Sequence, residues 1–318
     1  MLVNLYKSKT PLSVFTLPLI IGFVCLSVFF NEQETQNYFF LWQTNFFHFF
    51  QETPWLNYFL AAGLISLNAH QLNNVFNRNS FYSKDTFLPG FVYVTGLITF
   101  ESLCFSPLLL AHLFLLGAMA QLLQLKLKEP AKDILFKGSF LLGLAFVFSP
   151  LTISLAIFPW IALLLIKPFI WREWLVTFFG MLLPIFYLYT INFLATGKID
   201  VLGMPVTIDD PDLTWTILEG ATYLLTVICF LVGLFKFIII TRSQIVNFKK
   251  LSQVILWMAI LLCFSFVVGW YFYSHFYLAF LLPTSFIVSI QLLNAGRVQM
   301  ANGLVTVWFI ISVVNLFW

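Results

Sequence analysis

Apolar runs of about 20 residues, broken only by short polar stretches, recur from one end of this chain to the other. A helix that is apolar on all sides cannot be covered in water, whereas a bilayer covers it completely, so these runs restrict the chain to a membrane fold. Of its 318 residues 61% are hydrophobic and 9% charged, against roughly 25% charged in a soluble domain. The expected fold class is therefore all-α. We expect a polytopic integral membrane helix bundle forming a single transmembrane domain over residues 1–318, with no separate folded extramembrane domain.

Several functions are excluded at once. A net charge of +3 with dispersed cations provides no nucleic-acid surface. Cys25, Cys104, Cys229 and Cys263 lie in or beside apolar runs without CxxC spacing, so neither a disulfide framework nor a zinc site is indicated. The 40 Phe residues are ordinary lipid-facing side chains before they are a ligand tunnel. No cofactor and no metal is expected.

Lys7 and Lys9 precede the apolar run Pro11 to Phe30 in the manner of a signal peptide, but Asn31, Glu32, Gln33 and Glu34 follow it in place of a small-residue cleavage site, which makes it a retained first span. Further spans are expected near Pro54–Phe76, Leu88–Leu103, Pro107–Leu125, Ile134–Ser149, Pro150–Ile166, Trp174–Leu194, Trp215–Thr241, Leu251–Gly269, Ser274–Leu293 and Ala301–Trp318, about eleven in all. Cations resist translocation and mark cytoplasmic loops. With the amino terminus inside, 15 of the 16 Lys and Arg fall in inner segments and only Lys198 falls outside. An even number of spans destroys that separation, so the carboxyl terminus is expected outside. Two outer segments are more than turns: an aromatic, partly polar stretch at about 38–51, expected as an interfacial helix, and an irregular loop at about 195–214 containing Asp209, Asp210 and Asp212.

Polar groups at membrane depth need partners, and the second span has the most: Asn57, Asn68, His70, Gln71, Asn73 and Asn74. His70 and Asn74 share a helix face and are expected to bind neighbouring helices; Asn73, Asn74, Asn77 and Arg78 read as an interfacial cap before a headgroup site. Whether this helix lines a cavity or a subunit contact is left open by the residues. An iron site on His70 and His112 fails on depth, because at ~1.5 Å per residue they sit roughly 16 Å apart along the membrane normal. Among outer carboxylates, Glu32, Glu34 and Glu101 are the catalytic candidates, with Glu101 just inside an apolar run where a carboxylate must be paired or neutralised. Asp210 and Asp212 have a spacing suited to a divalent cation, although acids also gather in outer loops simply because cations are excluded there. Trp171, Arg172 and Trp174, with Arg78 and the outer Lys198, are candidate contacts for lipid headgroups or phosphate, the bland alternative being interfacial anchoring. Phe105-Ser106-Pro107-Leu108 recurs as Phe148-Ser149-Pro150-Leu151, a hint of duplicated hairpins.

The segments KSKTPLS at Lys7–Ser13, NNVFNRNSFYSKDTFLP at Asn73–Pro89, GLAFVFSP at Gly143–Pro150 and WREWLVTFFGMLLPIFYLY at Trp171–Tyr189 resemble an uncharacterised family of bacterial polytopic inner-membrane proteins, whose members often carry the label carotene monooxygenase. The resemblance implies a Gram-negative inner membrane and no defined activity. A second, architectural similarity is to multi-span glycosyltransferases that use polyprenyl phosphates. It implies that Glu32 or Glu34 stands where that group places a general base, with Lys198 as the outer cation available to a phosphate. Three functions follow as expectations: a non-catalytic subunit or scaffold of a cell-envelope complex, with a membrane-protein partner; a glycosyltransferase-like enzyme with a polyprenyl lipid partner; or a transporter or lipid flippase.

Overall fold

The computed structural model describes residues 2–8, 10–30, 53–100, 102–126, 130–197, 217–242, 244, 246–272, 279–295 and 298–316. All regular structure among them is helical. The helices are α1 (Leu2–Tyr6), α2 (Pro11–Phe30), α3 (Pro54–Arg78), α4 (Leu88–Thr99), α5 (Pro107–Leu122), α6 (Lys132–Phe148), a 3-10 stretch (Pro150–Ile157) running into α7 (Phe158–Ile166), α8 (Trp171–Thr196), α9 (Ile217–Arg242), α10 (Val246–Phe272), α11 (Leu281–Leu293) and α12 (Val298–Asn315).

Among the described residues three helices are long and apolar enough to cross a membrane: α2, residues 171–194 of α8 and residues 220–242 of α9. Each leaves a ridge of large apolar side chains uncovered by protein, such as Phe15, Leu19, Phe23, Leu26 and Phe30 on α2, or Phe179, Phe186 and Leu194 on α8. Lipid chains are the solvent that such ridges require. The chain is thus a helical membrane protein.

The remaining apolar helices are shorter than the runs of sequence that contain them. The run Leu88–Leu103 becomes a helix of 12 residues, and Ser274–Leu293, as far as it is described, becomes one of 13. At ~1.5 Å per residue they reach roughly 18–20 Å against a hydrocarbon core of about 30 Å. The reason is burial. Every residue of α4 is buried, and α11 is buried except at half-exposed Gln291. Both lie among other helices, where irregular backbone is tolerated because protein groups satisfy it. The run Pro150–Ile166 likewise departs from a continuous α-helix. Its first half is 3-10, with Thr152 N–H and Oγ1 both donating to Ser149 O (3.1 and 2.9 Å), and the α-helix resumes around Pro159. The two Phe-Ser-Pro-Leu copies diverge here: Ser106 caps α5 by accepting from Leu109 N–H at 3.4 Å, whereas Ser149 makes no side-chain cap.

Contacts between helix ends sort the loops into two sets. At one end Thr86 Oγ1 and Phe87 N–H donate to Tyr6 O (2.8 and 2.9 Å), the Phe81 ring meets Phe248 and Phe286, and Lys250 Nζ donates to Ile166 O at 3.2 Å. At the other, Asn57 receives Phe105 N–H, Phe100 stacks on Tyr223, and Thr99 Oγ1 pairs with Ser312 Oγ at 2.8 Å. The first end carries Lys7, Arg78, Lys84, Lys126, Lys132, Lys167, Arg172, Arg242, Lys249 and Lys250; among the described residues the second carries no Lys or Arg. Helix packing and charge therefore divide the loops in the same way.

The expected interfacial helix at about 38–51 lies outside the described residues. The outer loop expected at about 195–214 starts later, because α8 runs on to Thr196, where Gly197 closes it at φ 67° with its N–H on Phe193 O at 2.8 Å. That left-handed geometry suits a residue without Cβ.

Candidate functional site

The polar face of α3 is where sequence and structure meet most closely. Asn57 Oδ1 accepts from Phe105 N–H at 2.6 Å; Asn68 Nδ2 donates to Leu109 O at 3.0 Å; Asn73 Oδ1 accepts from Gly90 N–H at 2.7 Å. One turn on, Asn77 pairs with both backbone groups of Thr86, donating to its carbonyl at 3.0 Å and accepting its N–H at 3.1 Å, as a second peptide unit does in a sheet. Four amides on one helix thus hold the following segment, from Thr86 to Leu109, along the length of α3. Burial makes the arrangement obligatory, since an unpaired backbone group in this interior costs about 1–3 kcal/mol. Close approach makes it feasible: a Cβ on Gly90 would stand 2.8 Å from Ala69 O.

At mid-helix, Asn68 Nδ2 also reaches Tyr93 Oη (3.5 Å), which hydrogen-bonds His112 Nδ1 at 2.9 Å. This fully buried trio joins α3, α4 and α5. Asn68 Oδ1 and Asn73 Nδ2 are buried without a hydrogen-bond partner.

His70 and Asn74 differ from expectation. Rather than binding neighbouring helices of this chain, both are exposed, with His70 touching only the edge of the interior through Phe87 (6.4 Å between ring centroids). The helical period puts them on the face opposite Asn57 and Asn68, on the side of Trp55, Phe59, Leu67 and Arg78, all exposed.

The second polar site surrounds the turn between α7 and α8, which Pro168 opens by halting α7 at Ile166. Lys167 Nζ and Glu173 Oε1 form an ion pair of 3.0 Å, with side chains only 4% and 5% exposed. Thr177 Oγ1 donates to Glu173 O at 2.9 Å, and Glu173 Oε2 is buried without a partner. Trp174 stacks on Trp160 (6.3 Å) and meets a tilted Phe169 ring (5.0 Å), and its carbonyl accepts from Trp160 Nε1. Trp174 is therefore part of the packing, while Trp171, Arg172 and Arg78 remain exposed, available to headgroups. From sequence Glu173 reads as part of a compact hinge with Trp171, Arg172 and Trp174, but its pairing with Lys167 was missed. The available signal was a pair of opposite charges flanking a Pro-containing turn in an otherwise uncharged stretch.

Glu32, Glu34, Glu101 and Lys198 lie outside the described residues, as do Asp210 and Asp212. The separation of roughly 16 Å expected between His70 and His112 is not kept, because Asn68, two residues before His70, donates to Leu109 O, three residues before His112, at 3.0 Å; what divides the two histidines is burial, His112 being enclosed and His70 exposed. Among the described residues no three His, Cys, Asp or Glu side chains gather as metal ligands. No protein-family model, curated protein or solved structure matches this chain.

Proposed function

We propose that the chain is a non-catalytic subunit or scaffold of a cell-envelope complex. It sits in a bacterial inner membrane through about eleven spans, its amino terminus in the cytosol and its carboxyl terminus outside. The observation that carries this reading is the outward face of α3. Phe29 on α2 and Tyr58 on α3 are level, their rings 6.1 Å apart. Measured from there at ~1.5 Å per residue, α2 stays apolar for about 27 Å, down to Pro11, whereas His70 lies about 18 Å down α3 and Asn74 about 24 Å. His70 is then some 9 Å inside the hydrocarbon layer, facing away from its own protein. Polar groups pointing into lipid tails are costly and rare, and a neighbouring membrane helix with hydrogen-bonding side chains relieves that cost. The inward asparagines agree with a scaffold, because each commits at least one amide atom to this chain's own backbone. The cation-rich end supports the orientation, and the resemblance of the NNVFNR and WREW segments supports the inner membrane.

A photo-crosslinking residue placed at position 70 in native membranes tests the subunit reading, with position 23 on the lipid-facing ridge of α2 as control. A discrete protein adduct is expected at 70 and lipid adducts alone at 23. Lipid adducts alone at both positions would dismiss a subunit contact.

One observation favours a transporter or flippase as a second reading: α4 and α11 are buried helices of partial length, and residues 102–106 beyond α4 are non-helical backbone, the construction that lines paths through transporters. Reconstitution into vesicles with headgroup-labelled lipids separates the two, since a scaffold moves none. The glycosyltransferase alternative rests on Glu32, Glu34 and Glu101. A scaffold tolerates E32Q, E34Q and E101Q together, and loss of envelope function in that triple variant at normal protein levels would favour the enzyme.

A further inference from the structure

We propose that Cys25 and Cys104 form a reversible disulfide that ties α2 to the irregular segment between α4 and α5. Cys25 is buried on α2, 2% exposed, and its Sγ lies 4.0 Å from the carbonyl oxygen of Leu103. Cys104 is the next residue, 8% exposed. Covalent geometry holds a carbonyl oxygen about 3 Å from the following Cα, so Cys25 Sγ stands within ~7 Å of Cys104 Cα. A sulfur–sulfur bond of about 2.05 Å places each Sγ roughly 4 Å from its partner's Cα, so rotation of the Cys104 side chain together with a backbone shift of at most ~3 Å closes the bridge. The two thiols are also within electrostatic reach of each other and of Tyr58.

The surrounding structure permits that shift. Residues 102–106 are not helical, their hydrogen bonds include Ser102 N–H to Leu97 O at 3.1 Å and Phe105 N–H to Asn57 Oδ1 at 2.6 Å, and Ser102 Oγ is buried with no partner. Cys229 and Cys263 differ in kind, each within a continuous helix, α9 or α10. The location matters as much as the geometry. This is the end that carries no Lys or Arg among the described residues and that in the proposed orientation faces the outer, oxidising compartment, so the bridge's occurrence in cells rests on that orientation.

The chemistry is thiol–disulfide exchange with a disulfide-bearing oxidant. The Cys104 thiol, the more exposed of the two, loses its proton and attacks the oxidant's disulfide, forming a mixed disulfide and releasing one oxidant thiolate. Cys25, deprotonated in turn, attacks the Cys104 sulfur and expels the second. Two protons and two electrons leave the protein, and the oxidant is reduced to its dithiol. The bridge fixes the entry to α5 against α2, and with it the level of Asn57 and Tyr58.

Acid quenching of intact cells before lysis, alkylation in denaturant, and mass spectrometry of unreduced peptides test the bridge. A Cys25–Cys104 linked peptide that reduction abolishes is expected, with Cys229 and Cys263 alkylated; in C104S, Cys25 is alkylated too. Alkylated Cys25 and Cys104 in the quenched wild type overturn the proposal. Orientation is read separately, from a cysteine at position 210 and a membrane-impermeant maleimide. A linked peptide with position 210 unreachable from outside retains the bridge and rejects the orientation. Position 210 labelled from outside with both thiols alkylated does the reverse.

Discussion

Asn77 does with one side chain what a strand partner does with a peptide unit, and its removal illustrates the energetics of the whole polar face. N77A leaves Thr86 N–H and O unpaired at a largely buried position, and at about 0.5–1.5 kcal/mol per bond, plus desolvation, the protein should lose roughly 1–3 kcal/mol. A lowered melting temperature in detergent, with N74A as an exposed control on the same turn, checks this. The ion pair Lys167–Glu173 behaves differently. K167M strands a buried carboxylate and should destabilise by about 3–5 kcal/mol, whereas K167M with E173L removes both charges and should recover most of that loss. Equal melting temperatures for the single and double variants would show that the pair contributes little. Tyr6 adds a pH dependence: burial raises its phenol above the ordinary 10.0, outweighing the hydrogen bond with Thr16 that lowers it. The fold binds the proton more tightly than the unfolded chain, so this contribution is complete below pH 10 and fades above it. Wild-type stability should fall more steeply than that of Y6F as pH rises past 10.

At the level of helices, closeness is set by small residues. A Cβ on Gly143 would press on the carbonyl of Met181, and one on Gly180 would stand 3.0 Å from Phe136 O, so α6 and α8 meet backbone to backbone at paired glycines. Without a hydrophobic effect to join helices inside lipid, such packing supplies much of the attraction. G143A and G180A should each cost about 1–3 kcal/mol through forced separation, and G22A, where the space is open, should cost far less. Chemical denaturation in mild detergent measures the three. Element identity was largely legible: among the described residues the apolar runs are helical, with a 3-10 first half in Pro150–Ile166, because apolar runs and Pro or charged breaks are local signals. Element length was not. The sequence of α4 reads as a span to Leu103, yet its helix stops at Thr99, since a helix enclosed by others has no bilayer thickness to match.

For the molecule as a whole, the division of cations between two ends leads to a direct expectation: cysteines introduced at positions 84 and 249 should react with impermeant reagents only from the cytosolic side, in inverted vesicles and not in intact cells. Labelling of either from outside would reverse the bundle. The motifs KSKTPLS, NNVFNR and WREW also acquire a common physical meaning at this scale, as each sits at a joint: Thr10 and Ser13 cap α2 reciprocally (3.1 and 3.2 Å), Asn73 and Asn77 clasp the α3–α4 turn, and Glu173 is buried with Lys167. Sequence alone determined that the chain is helical, belongs in a membrane and gathers its cations at alternate loops, because hydropathy and charge act on each segment independently of its neighbours. Only the tertiary structure decided which asparagine meets which backbone group, that His70 and Asn74 face outward while Asn68 and Asn73 face inward, and that Cys25 approaches Cys104. Those outcomes depend on the rotation of one helix against another, which packing sets and no single segment contains.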